Sequence, residues 1–172
     1  MKAELLGWPP DGPKLELDYR RFSYAGKFVM TNTGKAVLRE GEEIRAAAAF
    51  NEDRTDSTCL WIRYITTHTD YRGEGIGTRL LQFVRERARK RGYERVRIAV
   101  NNPFAYEACY RAGFGYTGRE TGLAELVLEA PGERSKERYQ RGFDAFRGRD
   151  ASDGERSFLD RKRDADPPTV GE

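Results

Sequence analysis

Apolar and polar positions alternate with period two along Lys14–Phe22, where Leu15, Leu17 and Tyr19 fall on one side, and this predicts a half-buried strand. Residues 27–31, KFVMT, read as a further short strand. The run GKAVLREGEEIRAAAAF predicts a hairpin, with strands near 35–39 and 44–50 around Glu40-Gly41-Glu42. Residues 59–68, CLWIRYITTH, are β-branched and aromatic, as a strand requires. The period then changes from two to 3.6. Ile76, Leu80, Phe83, Val84 and Ala88 mark one face of a helix over about 77–91, and Gly92 ends it. YERVRIAV (93–100) is the next strand. Asn102 suits an N-cap and Pro103 a first helical position, which predicts a helix over 103–112 closed by Gly113. LAELVLE (123–129) is a last strand. Strand, glycine-rich loop, helix and strand in succession make a βαβ unit, so the fold class is α/β with a mixed sheet.

Composition divides this pattern. The apolar segments stop at Ala130-Pro131-Gly132, and the remaining residues are nearly devoid of Leu, Ile and Val. Residues 1–130 are therefore read as the domain and 131–172 as a charged extension. Within the extension Tyr139, Phe143 and Phe146 share a helical face, which predicts a short docking helix near 134–147. Beyond it, a charge-mixed and apolar-poor segment predicts disorder. The chain has 31 Lys and Arg against 28 Asp and Glu, a net charge of +3 that residues 1–130 carry entirely. Nucleic acid is not expected as a partner on that balance. No run of 18 apolar residues exists, so no membrane partner is expected. The start, MKAELLGWPPDGPK, lacks a secretory apolar region. Cys59 and Cys109 make no disulfide framework, and the single His68 disfavours a metal site. The expectation is a cytoplasmic, metal-free protein.

The chemistry concentrates in DYRGEGIGTRLL, residues 70–81. Gly73, Gly75 and Gly77 alternate between a strand and a helix start. Free amides and the positive end of the helix dipole converge there, which is an anion site. A P-loop requires Gly-Lys-Ser/Thr, whereas Gly77 precedes Thr78-Arg79. A dinucleotide fingerprint requires G-x-G-x-x-G and an acidic residue closing the second strand, and neither is present. Taken alone, such a turn is as readily a tight connection as a binding loop.

Two motifs together change that balance. YRGEGIGTRLL resembles the R/Q-x-x-G-x-G/A loop of the GCN5-related N-acetyltransferases, and NNPFAYEACYRAGF, about 25 residues on, is similar to that family's N-x-x-A…G-F helix. Order and spacing agree over residues 35–129. The resemblance implies the acyl-CoA N-acyltransferase fold with acetyl-CoA as cosubstrate. Its pyrophosphate would be held by the amides of Arg72, Gly73, Glu74, Gly75, Ile76, Gly77 and Thr78. Its pantetheine arm would meet main-chain groups of Ile65, Thr66 and Thr67, and Asn102 would contact the arm.

Three departures from the family pattern bear on catalysis. The family's acid tyrosine maps onto Cys109, with Tyr110 one residue later, a 100° turn away on a helix. Tyr110 and Cys109 are the candidate catalytic residues, against a packing role for each. If Tyr110 is the acid, Tyr110→Phe lowers kcat at least tenfold. Next, no Asp or Glu lies between Cys59 and Thr69. Glu43, Glu120 and Glu125 sit on neighbouring segments without one being singled out, and water is an alternative base. Finally, residues 21–34 are too short for the family's two N-terminal helices, so the acceptor groove is open, or is completed by the tail helix or a second subunit; a homodimer remains an alternative. An open groove favours a protein or peptide amine over a small-molecule acceptor. His68 and the basic stretch 79–97 read as structural and solvated, with the CoA 3′-phosphate as an alternative partner for the latter. The expected function is acetyl transfer from acetyl-CoA to a primary amine by direct attack in a ternary complex. The alternative is a non-catalytic acyl-CoA-binding module.

Overall fold

The computed structural model describes residues 1–170 and shows seven strands and four α-helices, a mixed α/β architecture. By its internal contacts the chain forms two compact units, Met1–Val96 and the residues from Arg97 onward. The boundary between these units falls at Val96 and Arg97, and the charged extension belongs to the second unit.

In the first unit β1 (Lys2–Gly7), β2 (Gly34–Glu40), β3 (Glu43–Glu52) and β4 (Cys59–Thr67) pair antiparallel in succession. The β2–β3 hairpin is the predicted one, with Glu40 opposite Glu43. Ala46, Ala47, Ala48 and Ala49 of β3 are all fully buried. Alternation places Ala47 and Ala49 on one face, where they join a cluster with Phe28 and Val37. The opposite face lies under α1 (Ile76–Arg91), which packs on β2, β3 and β4. Small side chains let both layers approach closely.

The strand expected at 14–22 does not form. That segment is irregular, and Leu15 and Leu17 instead pack against the Phe28 cluster. The Leu15 amide donates to the Phe28 carbonyl at 2.9 Å. Residues 27–31 are no strand either, since Ala25–Val29 is a 3-10 turn. The edge position belongs to β1, whose Lys2–Gly7 pairs with β2. Lys35 of β2, fully buried, donates from Nζ to the carbonyls of Met30 (2.7 Å) and Thr33 (2.8 Å) and so anchors the irregular segment. Strand β5 (Arg95–Val100) crosses the boundary between the units.

The second unit contains α2 (Pro103–Arg111), the antiparallel pair β6 (Gly115–Glu120) and β7 (Leu126–Ala130), α3 (Lys136–Arg147) and α4 (Asp153–Arg161). Helix α3 lies where the Tyr139/Phe143/Phe146 stripe predicts it, and all three side chains are buried. In place of the disorder expected beyond residue 147, the structure has α4, opened by a capping box between Ser152 and Glu155. The physical reason is side-chain bonding to main-chain carbonyls. Gln140 donates to the Lys162 and Ala165 carbonyls (2.8 and 2.9 Å), and Arg147 to that of Leu159 (2.8 Å). Arg134 reaches the carbonyls of Tyr110, Phe114 and Pro168. Polar residues thus satisfy the groups that a short, apolar-poor segment would leave to water.

Candidate active site

The loop between β4 and α1 is shaped by its own backbone. The His68 amide, just past β4, donates to the Arg45 carbonyl at 2.8 Å. The His68 ring is buried, and its Nδ1 accepts from the Asp70 amide at 3.1 Å, which leaves the proton of the neutral ring on Nε2. Gly73 (φ +83°) and Gly75 (φ +77°) take left-handed conformations with open space around them, so conformation, not crowding, requires glycine there. Gly75 is also the N-cap of α1 and brings no side chain to cap it, and no acidic residue lies in the first turn. The first-turn amides at Ile76 and Gly77 therefore have no side-chain cap from Gly75. Arg72 adds a cation, its Nη2 donating to Ser23 Oγ at 3.1 Å and its Nε to the Thr67 carbonyl at 3.4 Å. Glu74 is exposed at the crest of the loop.

Ile65, Thr66 and Thr67 close β4 opposite Ala48, Ala47 and Ala46 of β3. The Thr66 hydroxyl is buried and has no hydrogen-bond partner. A buried hydroxyl left unpaired costs about 1–3 kcal/mol, which a ligand arm carrying amide groups would relieve. Residues 65–67 and the loop are joined where Arg72 Nε donates to the Thr67 carbonyl.

None of the three carboxylates weighed in the sequence is free. Glu43 accepts from Tyr71 Oη at 3.0 Å and pairs with Arg45 at 3.2 Å, and Arg45 lies 4.0 Å over the Tyr71 ring. The Tyr71 hydrogen bond, then Arg45, hold the Glu43 carboxyl below its ordinary range, which weakens it as a base. In the second unit Glu120 pairs with Arg149 at 3.4 Å and Glu125 accepts from Thr121 Oγ1 at 3.2 Å.

The first unit also carries a cleft of about 650 Å³, lined among others by Tyr24, Lys27, Thr33, Glu52, Arg54 and Arg63. Its wall includes Tyr64, directly before the Ile65–Thr67 segment. The register of β4 explains how Arg63 is presented. Tyr64 pairs with Ala49 and Ile62 with Phe50, so Arg63 is an extra residue with no opposite number on β3. Its Nε donates to Asn51 Oδ1 at 2.6 Å, and the guanidinium lies 5.1 Å over the Trp61 ring. Glu52 accepts from Tyr93 Oη at 3.2 Å. Sequence reasoning passes over Glu52, Lys27 and Arg63. The one available signal is the charge of Arg63 inside an otherwise apolar and aromatic strand.

In the second unit Asn102 is the N-cap of α2, its Oδ1 accepting from the Ala105 amide at 2.9 Å, while its Nδ2 donates to Asn101 at 3.3 Å. Cys109 and Tyr110 are buried, with 1% and 0% of their surfaces exposed. Burial pushes the Cys109 thiol up to about 12. Tyr110 Oη accepts from the Tyr116 amide at 2.9 Å, and its ring packs on Tyr106 and Tyr139, 5.0 and 4.6 Å between centroids. Burial raises its hydroxyl too.

No curated protein matches the chain by sequence. Among solved structures, a Bacillus subtilis acetyltransferase in complex with CoA is similar at 17% identity and a TM-score of 0.57, covering 74% of this chain and 96% of its own. The Escherichia coli ribosomal-protein-S18-alanine N-acetyltransferase is similar at 16% identity and a TM-score of 0.55, covering 74% and 91%. Nourseothricin acetyltransferase, at 22% identity and a TM-score of 0.49, is matched over 56% of this chain, which spans 64% of that protein's length. At these identities the likeness is one of fold. The family of the acetyltransferases (GNAT) matches by its family model over residues 3–116, which include all seven of the loop residues from Arg72 to Thr78. That match covers well over half of the sequence, and the chain belongs to the acetyltransferase (GNAT) family.

Proposed function

We propose that the chain is an N-acetyltransferase that moves an acetyl group from acetyl-CoA to a primary amine by direct attack in a ternary complex. A protein or peptide amine is favoured over a small metabolite. The observation that carries this reading is the uncapped start of α1 behind the left-handed Gly73 and Gly75, a surface fitted to a pyrophosphate. Arg72 adds charge there, and the unpaired Thr66 hydroxyl supplies a donor for an amide-bearing arm. Asn102 uses its Oδ1 to cap α2.

Acetyl-CoA supplies a thioester, an acyl carbon already activated toward an amine. The protein has to hold the amine neutral and in line, and to accept the proton it releases. Glu52 lines the cleft reached by continuing back along β4 from Thr67 past Arg63, and it is the carboxylate assigned to that proton. The family's strand carboxylate, missing from β4 itself, is replaced in this reading from the end of β3. The C–N bond forms as the C–S bond breaks, and solvent protonates the departing thiolate. Tyr110 and Cys109 are assigned to packing, because both side chains are buried and the Tyr110 hydroxyl is engaged by the Tyr116 amide.

The same burial favours a second reading, a non-catalytic acyl-CoA-binding module. The deciding experiment measures CoA release with protein and small-molecule fractions of a cell extract as acceptors, beside Gly75→Val and Glu52→Gln. Release above the Gly75→Val background, reduced at least tenfold by Glu52→Gln, supports the transferase. Tight acetyl-CoA binding without release from either fraction supports the module.

A further inference from the structure

We propose that the acceptor amine belongs to a molecule carrying carboxylates beside it, and that Lys27, Arg54 and Arg63 bind those carboxylates in the cleft. This rests on the transferase reading and gives its acceptor a chemistry. The cleft of about 650 Å³ presents these three cations against one carboxylate, Glu52. Among the described residues, none of the three cations is in an ion pair; the carboxylates nearby are already engaged. Asp53 accepts from the Trp61 indole, and Asp56 pairs with Arg95. Elsewhere Arg89 pairs with Glu86, Arg147 with Asp144 and Arg97 with Glu129. Here three cations without an ion pair line one concavity.

Two of them are also held in place. Arg63 sits on the bulge of β4, tied at Nε to Asn51 and resting over Trp61. Its two terminal nitrogens have no protein partner among the described residues, and they form the fork that binds a carboxylate through two parallel hydrogen bonds. Lys27 lies over the Tyr64 ring at 5.8 Å from its centroid. Thr33, 4% exposed and lining the same cleft, has a hydroxyl with no hydrogen-bond partner, a further donor for an acceptor's oxygen. Arg63 stands two residues before Ile65 on the same strand, so carboxylate recognition and the acyl-holding segment are one short span apart. A polycationic acceptor would instead meet like charge at three points.

The test uses the full chain and five acceptors: a tripeptide with two glutamates, its glutamine counterpart, free glutamate, free glutamine and spermidine. Kinetics of CoA release and calorimetric binding of each acceptor without acetyl-CoA are both measured. A KM or Kd at least tenfold lower for the glutamate tripeptide than for its glutamine counterpart is expected, shrinking as salt is raised to about 0.5 M. Arg63→Gln and Lys27→Met should each remove most of that discrimination while acetyl-CoA binds as before. Free glutamate discriminated from free glutamine as strongly as the tripeptides are would assign a small-molecule source, and discrimination confined to the tripeptides a peptide one. Equal values for the glutamate and glutamine acceptors, or preference for spermidine, would overturn the inference. If no acceptor supports release, the binding data decide it alone: selective binding of the acidic tripeptide upholds the cationic cleft and removes only the transferase reading.

Discussion

Gly142 lies in the middle of α3, where alanine is normally the better residue by up to about 1 kcal/mol. Here the sign should reverse. A Cβ built at Gly142 falls 2.0 Å from Tyr106 Oη, 2.2 Å from its Cζ and 2.5 Å from its Cε2. The Tyr106 ring has no room to retreat: it is fully buried, packed against Tyr110 and Phe143 at 5.0 Å and against Phe146 at 5.8 Å between centroids. Its hydroxyl donates to the Tyr139 carbonyl at 2.9 Å. Overpacking of such a site costs about 1–3 kcal/mol, and loss of the hydrogen bond adds about 1–3 kcal/mol if its groups stay buried. Set against the helix propensity gained, Gly142→Ala should destabilise the second unit by about 1–5 kcal/mol. The assay is urea unfolding of the full chain, followed by near-ultraviolet circular dichroism, which reports this aromatic cluster. Gly154→Ala is the control, since a Cβ at that α4 position meets nothing within 4 Å. A Gly142→Ala protein as stable as the parent, or more stable, would refute the close packing of α3 on α2.

Three further outcomes are expected. Gly75→Val should weaken acetyl-CoA binding at least tenfold by calorimetry, because a β-branched residue at φ +77° is strained and shifts the loop; unchanged affinity would remove the loop from the site. Tyr110→Phe deletes the hydroxyl that accepts from the Tyr116 amide and should cost about 1 kcal/mol of stability while kcat stays within threefold. A tenfold loss of kcat at unchanged acetyl-CoA affinity would return Tyr110 to the mechanism. Alkaline pH should be destabilising: burial raises Cys109 from 9.0 to about 12 and raises Tyr106, Tyr110 and Tyr139 as well. A raised acid favours the folded state fully below its unfolded value and loses that contribution as pH climbs toward the folded one. The urea midpoint should therefore fall between about pH 9 and pH 12, less steeply in Cys109→Ala; a flat profile would contradict the burial.

Much of the central strand–loop–helix region of this protein is legible in its residues because the signals there are local. Gly73 and Gly75 are needed for backbone conformation, Asn102 and Pro103 for a helix start, and Gly92 for a helix stop; each acts within a few residues of itself. The alternation around Glu40-Gly41-Glu42 likewise specifies a hairpin with no distant partner required. The readings that fail depend on what a segment packs against. Leu15 and Leu17 alternate as a strand does, yet they cover the Phe28 cluster in an irregular segment, while Lys2–Gly7 takes the edge of β2. The extension after Pro131 looks too poor in aliphatic residues to order, and orders through aromatic stacking and side-chain bonds to carbonyls.

The chemistry divides along the same line. The sequence by itself determined the loop's conformation and the family, since left-handed glycines and a helix start need only local signals. Tertiary structure alone decided which carboxylate and which cations share a cleft. Glu52, Lys27 and Arg63 come from separate segments, and a bulge in β4 presents Arg63. Tertiary structure also decided that Tyr110 and Cys109, adjacent on α2, are buried, Tyr110 against Tyr106 and Tyr139, because burial is a property of everything packed around a residue and no spacing along the chain encodes it.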